Sequence, residues 1–224
     1  MTKMEKISAA DGHEFDSYIA EPSQPALAGI VLLPEIFGIT QHMQDMADEY
    51  AKRGYRAIVP ALFDRAEVGV SLAYEDVEHG LELMNRCSDE TALLDIQAAA
   101  NAVKVETKVA VQGYCWGGSL AFISACELDL SAAVSFYGGN IINQLHLRPK
   151  CPVLFHFGSE DKSIPPENVT DIKATFVDHA EHTAYVYAEA DHAFANHDRA
   201  SFNEDAASLA NQRSYEFLAA AFNI

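Results

Sequence analysis

The chain has 224 residues, of which 49% are hydrophobic and 21% are charged, so it can bury a large core and is not disordered. Its 33 acidic and 15 basic residues give a formal net charge of −18, and a surface that negative repels nucleic acid and anionic lipid. We therefore predict neither nucleic acid nor a membrane as a partner. Four cysteines without C-x-x-C spacing, and an N-terminus without an apolar signal segment, favour a cytoplasmic protein with free thiols.

Two short strands are the first predicted elements, in the stretch from Glu5 to Ala20 on either side of the turn dipeptide Asp11-Gly12. Apolar runs that are typical of buried strands then alternate with stretches that have the i, i+3, i+4 spacing of a helix. The predicted strands span residues 28–33, 55–59, 108–112, 132–136, 152–157 and 183–188. The predicted helices span residues 41–53, 88–103, 116–127, 168–179 and 205–218, with a less regular helical run near 72–84.

This alternation of apolar strands and helices predicts an α/β fold. The sheet is expected to be mostly parallel and covered by helices on both faces, which makes a three-layer sandwich with an antiparallel hairpin at its N-terminus. No repeat, low-complexity block or linker interrupts the chain, so we predict a single domain over residues 1–224. Ligands of such sheets bind beyond the carboxyl ends of the strands, and we expect the functional residues in the loops that follow them.

The loop after residue 112 contains a candidate nucleophile, Cys115. The segment Gly113-Tyr114-Cys115-Trp116-Gly117-Gly118 has the G-x-S-x-G pattern of a nucleophile elbow, with cysteine in place of serine, between a strand and a helix. Its glycines leave room for a sharp turn, and the helix N-terminus favours a thiolate over a thiol. The backbone N–H of Trp116 is expected to form half of an oxyanion hole. The motif alone leaves open that Cys115 is a structural cysteine, as we interpret the other three to be.

An acidic residue and a histidine follow Cys115 in the chain order of an α/β-hydrolase triad. Asp161 lies after the strand at 152–157, and His192 lies after the strand at 183–188. The histidine is expected to accept the proton of the cysteine, and the aspartate to fix the tautomer of the ring. Alternatives for the acid and for the histidine stay open among neighbouring residues: Glu160, Asp191 and His197.

Three further histidines receive a structural interpretation. His156 lies within an apolar strand and is expected to be a satisfied core residue. His179 and His182 have no third ligand at a helpful spacing and are interpreted as solvated. The sequence contains no Walker or dinucleotide-binding loop, so we predict neither a metal nor an organic cofactor.

These residues resemble the dienelactone hydrolases, a carboxymethylenebutenolidase-like family of α/β hydrolases. The resemblance runs from about residue 28 to the C-terminal helix and is carried by four segments: Pro34-Glu35-Ile36-Phe37-Gly38, Gly113 to Gly118, Gly158-Ser159-Glu160-Asp161, and Asp191-His192-Ala193-Phe194-Ala195-Asn196. The cysteine elbow followed by a second glycine is the most specific of them, since most relatives of this fold have serine there.

The resemblance implies a Cys-His-Asp triad that cleaves an ester or lactone bond of a small molecule through a thioester. It implies that Glu35 interacts with the catalytic cysteine and takes part in switching it to the thiolate when substrate arrives. The backbone N–H of Ile36 would complete the oxyanion hole. A monomer or weak homo-oligomer is expected. Two other functions stay open: a general carboxylesterase or thioesterase, and a non-catalytic redox-sensing or binding protein.

The apolar walls of the substrate pocket are expected to come from three aromatic residues: Phe37, Tyr137 and Phe194. The resemblance also implies arginines that bind a substrate carboxylate, and at one of these positions the chain has Asn196. Candidate replacements elsewhere in the chain are Arg65, Arg86 and Arg199.

Overall fold

The computed structural model describes residues 2–177 and 181–224. The chain divides into two compact units, residues 1–111 and residues 112–224. A single domain over residues 1–224 stays a prediction. Within the described ranges, no helix is both long enough and apolar enough to cross a membrane.

The first unit combines an N-terminal hairpin with strands and helices that alternate along the chain. Its elements are β1 (Thr2–Ser8), β2 (Glu14–Ala20), β3 (Ala28–Leu33), α1 (Gln41–Lys52), β4 (Tyr55–Pro60), α2 (Val77–Arg86), α3 (Asp89–Val103) and the start of β5 (Val109–Tyr114). Hydrogen-bonded neighbours follow the order β1-β2-β4-β3-β5. β2 is antiparallel to both β1 and β4, whereas β3 and β4 are parallel. The predicted N-terminal antiparallel hairpin is therefore confirmed.

The second unit contains the end of β5 and a run of parallel strands. Its further elements are α4 (Trp116–Glu127), β6 (Ala132–Phe136), β7 (Val153–Gly158), α5 (Pro166–Phe176), β8 (Thr183–Tyr187) and α6 (Glu204–Phe222). The strand order is β5-β6-β7-β8, and β7 pairs in parallel with both β6 and β8. The carboxyl ends of these parallel strands lie at one edge, where the functional loops were expected.

Burial of the strands explains most of the agreement with the sequence pattern. Every residue of β3, β5, β6 and β7 is buried, as continuous apolar runs predict. β8 differs because it ends the strand order: most of its residues are half-buried, and the side chain of Val186 is 46% exposed.

Helix boundaries follow local capping chemistry. Gly54 adopts φ +93° just beyond α1, where glycine is the residue that tolerates a left-handed backbone. Ser88 caps α3, since its hydroxyl accepts the N–H of Thr91 at 3.2 Å. The irregular stretch after β4 forms a 3₁₀ helix at Leu62–Arg65 before α2 begins. The predicted helix over residues 168–179 corresponds to α5, and His179 lies outside the described residues.

A charged cluster in the first unit engages Arg65, one of the arginines considered for substrate binding. Its guanidinium donates to both carboxylate oxygens of Asp95, from Nε at 2.8 Å and from Nη2 at 2.7 Å, and from Nη1 to Asp11 at 2.8 Å. Asp95 is fully buried, and burial raises the pKa of its carboxyl group while the Arg65 hydrogen bonds lower it. Arg65 therefore ties the hairpin turn to α3, and its guanidinium is committed to that contact.

His156, in β7, is a fully buried and hydrogen-bonded core residue, as predicted. Its Nδ1 lies 2.8 Å from the Tyr187 hydroxyl, and its Nε2 lies 3.0 Å from Oγ of Ser214. Because the Ser214 hydroxyl donates its proton to the carbonyl of Ala210, Nε2 must be the donor and Nδ1 the acceptor. Burial, together with the charge of Arg213, lowers the pKa of His156 to about 3, so the ring is neutral.

Candidate active site

The nucleophile elbow (Gly113–Gly118) holds Cys115 between β5 and α4 in a strained backbone. β5 ends at Tyr114 and α4 begins at Trp116, so Cys115 alone makes the turn, with φ +55° and ψ −114°. A positive φ at a non-glycine residue costs about 1–3 kcal/mol and persists only where the surroundings fix it. Here the N–H of Cys115 donates to the carbonyl of Phe136 at 3.0 Å, and its own carbonyl accepts the N–H of Ser119 at 3.1 Å.

The glycines of the elbow are required by backbone contacts. A Cβ atom at Gly113 would collide with the carbonyl oxygen of Gly117, and one at Gly118 would collide with the carbonyl of Phe136 and with Gly138. Backbone atoms cannot move aside as flexible side chains do. The motif's steric interpretation is therefore confirmed: the turn forms because side chains are missing where the chain folds back on itself.

Asp161 and His192 lie together beyond the ends of β7 and β8. Oδ2 of Asp161 is 2.8 Å from Nδ1 of His192. The other carboxylate oxygen, Oδ1, accepts the N–H groups of Ser163 at 2.8 Å and Ile164 at 3.2 Å. Asp161 is only 4% exposed, so the loop fixes the carboxylate and leaves one oxygen for the imidazole.

The environment of His192 favours the protonated imidazole. Burial opposes the positive charge, but hydrogen bonds to Asp161 and to Cys115 raise the pKa of His192 to about 10. Since Asp161 occupies Nδ1, the sulfur of Cys115 pairs with the opposite side of the ring. The imidazole thus hydrogen-bonds to a carboxylate and interacts with a sulfur, an arrangement that can move a proton away from the thiol.

The alternatives for the acid and the histidine lie outside this row. Glu160 is exposed and accepts the Ser159 hydroxyl at 3.4 Å. Asp191 is also exposed, and it accepts the backbone N–H of His192 at 2.7 Å rather than a ring nitrogen. His197 is exposed, with Nε2 3.4 Å from a carboxylate oxygen of Asp198. The structure therefore brings together Cys115, Asp161 and His192 rather than these neighbours.

One of the three predicted aromatic wall residues, Tyr137, lies next to the imidazole of His192, and a second, Phe194, packs against Tyr137. The ring centroid of Tyr137 is 5.1 Å from that of His192, and the ring of Phe194 packs edge-on against Tyr137 at 5.5 Å. Tyr137 follows β6 with φ +40°, and its N–H donates to the carbonyl of His156 at 2.8 Å. The contact between Tyr137 and His192 was missed by sequence reasoning, because nothing in the sequence indicates the unusual backbone that produces it.

Three predicted site residues belong to the first unit, in the loop after β3. Glu35, Ile36 and Phe37 are all buried, and Glu35 is a carboxylate with only 5% exposure. The ring of Phe37 packs edge-on against Tyr74, with 4.9 Å between centroids. The predicted roles of Glu35, Ile36 and Phe37 in the reaction stay predictions.

The remaining polar candidates have structural partners. Arg86 donates to the carbonyl of Ala66 at 2.7 Å, and the buried side chain of Asn196 accepts the N–H of Asp198 at 3.0 Å. For Arg199 the contact is a backbone one: its main-chain N–H donates to the carbonyl of Asn196 at 3.0 Å. Over residues 2–177 and 181–224, no group of three or more histidine, cysteine or acidic side chains could hold a metal ion.

Comparison with known proteins places the chain in a family. Residues 15–222 match the model of the dienelactone hydrolase family. The chain belongs to that family. Carboxymethylenebutenolidases of Pseudomonas putida and Pseudomonas knackmussii are each 32% identical to this dienelactone hydrolase family member over 228 residues, covering 98% of this chain and 97% of theirs. The predicted hydrolase of dienelactone hydrolase type is thereby confirmed.

Solved structures support the fold assigned to this dienelactone hydrolase family member. A candidate dienelactone hydrolase from Klebsiella pneumoniae is 28% identical, with a TM-score of 0.85, covering 98% of this chain and 99% of that chain. An esterase from Pyrococcus furiosus, 15% identical, has a TM-score of 0.73 and covers 97% of this chain and 90% of its own. At that identity the second likeness concerns the fold. The predicted α/β-hydrolase fold is confirmed.

Proposed function

We propose that the protein hydrolyses an ester or lactone bond of a small molecule, with Cys115 as nucleophile and with His192 and Asp161 completing a catalytic triad. The observation that carries this proposal is the 2.8 Å hydrogen bond between Asp161 and His192, an imidazole whose pKa is raised by Asp161 and by Cys115 at the strained elbow. The names of the two Pseudomonas relatives support a carboxylic ester or lactone as the bond that is cleaved.

The proposed reaction begins when the thiol of Cys115 passes its proton to Nε2 of His192, which gives a thiolate beside an imidazolium. With a pKa of about 10, His192 keeps the proton that leaves Cys115, while Asp161 accepts Nδ1–H and so fixes which ring nitrogen faces the sulfur. The thiolate attacks the carbonyl carbon, and the carbonyl electrons move to its oxygen to give a tetrahedral oxyanion. Collapse of this intermediate breaks the C–O bond, and the leaving oxygen takes the Nε2 proton of His192, which leaves a thioester on Cys115.

Hydrolysis of the thioester uses the same imidazole as a base. Neutral His192 removes a proton from water, the hydroxide attacks the thioester carbon, and the C–S bond breaks to regenerate the thiolate and the imidazolium. The product is a carboxylic acid with a separate alcohol, or a hydroxy acid when the substrate is a lactone. Backbone N–H groups of Trp116 and Ile36 are the proposed donors to the oxyanion in both steps.

The resemblance supplies the roles proposed for residues around this chemistry. Glu35 is proposed to assist formation of the thiolate, and its burial as a carboxylate is the observation that fits such a role. Phe37, Tyr137 and Phe194 are proposed as apolar walls for the substrate. Because Asn196 stands where the resemblance implies an arginine, the proposal does not extend to a substrate that carries a carboxylate. A cytoplasmic location and a monomeric or weakly associating state stay predictions.

A substrate panel with two cysteine variants tests the proposal. We expect the wild-type protein to release p-nitrophenolate from an activated ester, Cys115→Ala to lose this turnover, and Cys126→Ala, on the same helix, to retain it. Mass spectrometry of the intact protein should show an acyl group on the wild type and on Cys126→Ala but not on Cys115→Ala. Equal turnover by Cys115→Ala would contradict the nucleophile assignment.

The panel also separates the alternative functions. Preference for lactones over open-chain esters supports a dienelactone hydrolase-like activity, whereas preference for open-chain esters or thioesters indicates a general carboxylesterase or thioesterase. No turnover of any substrate by the wild type, together with reversible oxidation of Cys115 by peroxide, would instead indicate a redox-sensing member of the fold.

A further inference from the structure

Tyr137 adopts a backbone conformation that a side chain of its size rarely takes. It directly follows β6, has φ +40° and is fully buried, with its N–H donated to the carbonyl of His156 at 2.8 Å. Bulky residues avoid positive φ because the side chain meets the neighbouring carbonyl, so this backbone is strained. A glycine would relieve the strain at this position. The presence of a tyrosine there therefore suggests that its side chain has a specific role.

The ring of Tyr137 lies against the imidazole of His192. The two centroids are 5.1 Å apart with 58° between the ring planes, and the ring of Phe194 packs edge-on against the tyrosine at 5.5 Å. The titratable groups that face His192 are Cys115 from the elbow, Asp161 from the loop after β7, and the neighbouring Asp191 through the backbone. Cys115 and Asp161 interact with the two ring nitrogens, and these two contacts leave the ring free to rotate about the line that joins them. Tyr137 adds a third contact, from a different element.

Contact with an aromatic ring has an electrostatic consequence for a histidine that gains a proton. The face of an aromatic ring carries negative potential and attracts a cation within about 6 Å of its centroid. The separation of Tyr137 and His192 falls within that range. A tyrosine ring that turns its face towards the imidazole would therefore favour the imidazolium over the neutral imidazole, in the same direction as Asp161 does.

We propose that Tyr137 is a positioning residue for His192: its ring holds the imidazole in line between Asp161 and Cys115 and favours the protonated state of the imidazole. This role differs from that of a substrate wall, because it acts on the histidine before any substrate binds. It rests on the proposed function only where turnover is concerned, since the protonation of His192 is a property of the free protein.

Three variants test this role. Tyr137→Phe keeps the ring, Tyr137→Leu removes it while filling part of the space, and Phe136→Leu removes a neighbouring buried ring. Phe136 serves as a control for the loss of a ring one step further from the histidine: its ring packs edge-on against Tyr137 at 6.0 Å, and no described ring contact joins it to His192. The protonation of His192 is followed by NMR of histidine-labelled protein, and the thiolate of Cys115 by its ultraviolet absorbance.

We expect Tyr137→Leu to lower the pKa of His192 by roughly half a unit to one unit and to shift thiolate formation with it. Tyr137→Phe and Phe136→Leu should titrate like the wild type. In turnover, Tyr137→Leu should lower kcat by ~3- to 10-fold with KM little changed, and it should move the pH profile of kcat. An unchanged His192 titration in Tyr137→Leu overturns the proposal, and so does a rise in KM alone, which would indicate a substrate wall. Equal shifts in Tyr137→Phe and Tyr137→Leu would assign the effect to the hydroxyl and also overturn it.

A fluorinated series keeps the test available if Tyr137→Leu does not fold. Phenylalanine with an increasing number of fluorine atoms at position 137 keeps the shape of the ring and weakens its negative face. The pKa of His192 should fall stepwise along the series, and a flat series overturns the electrostatic role of the ring. These titrations need no substrate. A wild-type protein without ester turnover would therefore defeat the proposed function while leaving the role of Tyr137 measurable.

Discussion

Replacing Asp161 by asparagine perturbs the centre of the proposed triad while preserving the shape of its loop. The amide oxygen of Asp161→Asn can still accept the N–H groups of Ser163 and Ile164, which Oδ1 binds at 2.8 and 3.2 Å. The amide NH₂ then points at Nδ1 of His192 in place of the carboxylate oxygen at 2.8 Å. Nδ1 must accept this proton, so the ring carries its own hydrogen on Nε2 and cannot take the proton of Cys115.

The structure gives a magnitude for this loss. Raising the pKa of His192 from 6.5 to about 10 corresponds to about 5 kcal/mol in favour of the imidazolium, divided between the hydrogen bonds to Asp161 and Cys115. If Asp161 contributes about half, its removal lowers the equilibrium constant for protonation of His192 by a factor on the order of 10². The wrong tautomer of His192 adds to this loss. In a Ser-His-Asp triad, the same change of aspartate to asparagine lowers kcat by ~10⁴-fold. We therefore expect kcat/KM of Asp161→Asn to fall by between ~10² and ~10⁴.

Ester hydrolysis by purified variants measures the effect, with two neighbouring acids as matched controls. Glu160→Gln and Asp191→Asn each remove one exposed carboxylate from the same loops, and both should stay within about threefold of the wild type. Histidine NMR should show the pKa of His192 moving towards 6.5 in Asp161→Asn only. Activity of Asp161→Asn within tenfold of the wild type, or an equal loss in Asp191→Asn, would refute the assignment of the acid.

Four other changes have defined outcomes. Cys115→Gly should be more stable than Cys115→Ala by about 1 kcal/mol in the free energy of unfolding measured by denaturant titration, because only glycine accepts φ +55° without strain. If Cys115→Ala were the more stable variant, the backbone at this position would not be strained. Glu35→Gln should remain folded by circular dichroism and lower kcat by ~10-fold or more, whereas unchanged kcat would remove Glu35 from the reaction. Protonated His192 should make its full contribution to the free energy of unfolding below about pH 6.5, and this contribution should be lost as pH rises through about 10, because the pKa of the folded state lies above the ordinary value. A melting temperature that does not change over that interval would contradict this expectation. Arg65→Met should destabilise the protein by about 3–5 kcal/mol in a denaturant titration, because Asp95 stays buried without its partner, and adding Asp95→Leu should restore most of this; no recovery in the double variant would show that the charge is not the cause.

The cysteine elbow could be predicted from sequence because its determinants are local. Glycines at 113 and 118 are needed where backbone atoms approach one another, and the strand and helix on either side have clear apolar patterns. Asp161 and His192 could be predicted because the strand order puts the loops after β7 and β8 side by side. Chain order alone could not separate Asp161 from Glu160, since that choice depends on which carboxylate the loop turns inward.

Residues that act through long-range contacts were not predictable in the same way. Arg65 pairs with Asp95, 30 residues further along the chain, and no local pattern announces that pairing. The contact of Tyr137 with His192 depends on one backbone angle at the end of β6. By contrast, the turn that holds Asp161 has a local cause. An aspartate side chain commonly accepts the backbone N–H two residues further on, and here Asp161 accepts the N–H of Ser163.

The neutral histidine inside β7 gives this acidic protein a vulnerability to mild acid. His156 resists protonation down to a pH of about 3 in the folded state, whereas an unfolded chain would take up that proton near 6.5. Acidification below about pH 6.5 therefore favours unfolding, because the unfolded chain takes up a proton that the buried imidazole of His156 does not accept. The stabilisation by His192 is instead lost as pH rises. The fold is therefore expected to be most stable near neutral pH, with His156 destabilising it in acid and His192 ceasing to stabilise it in base.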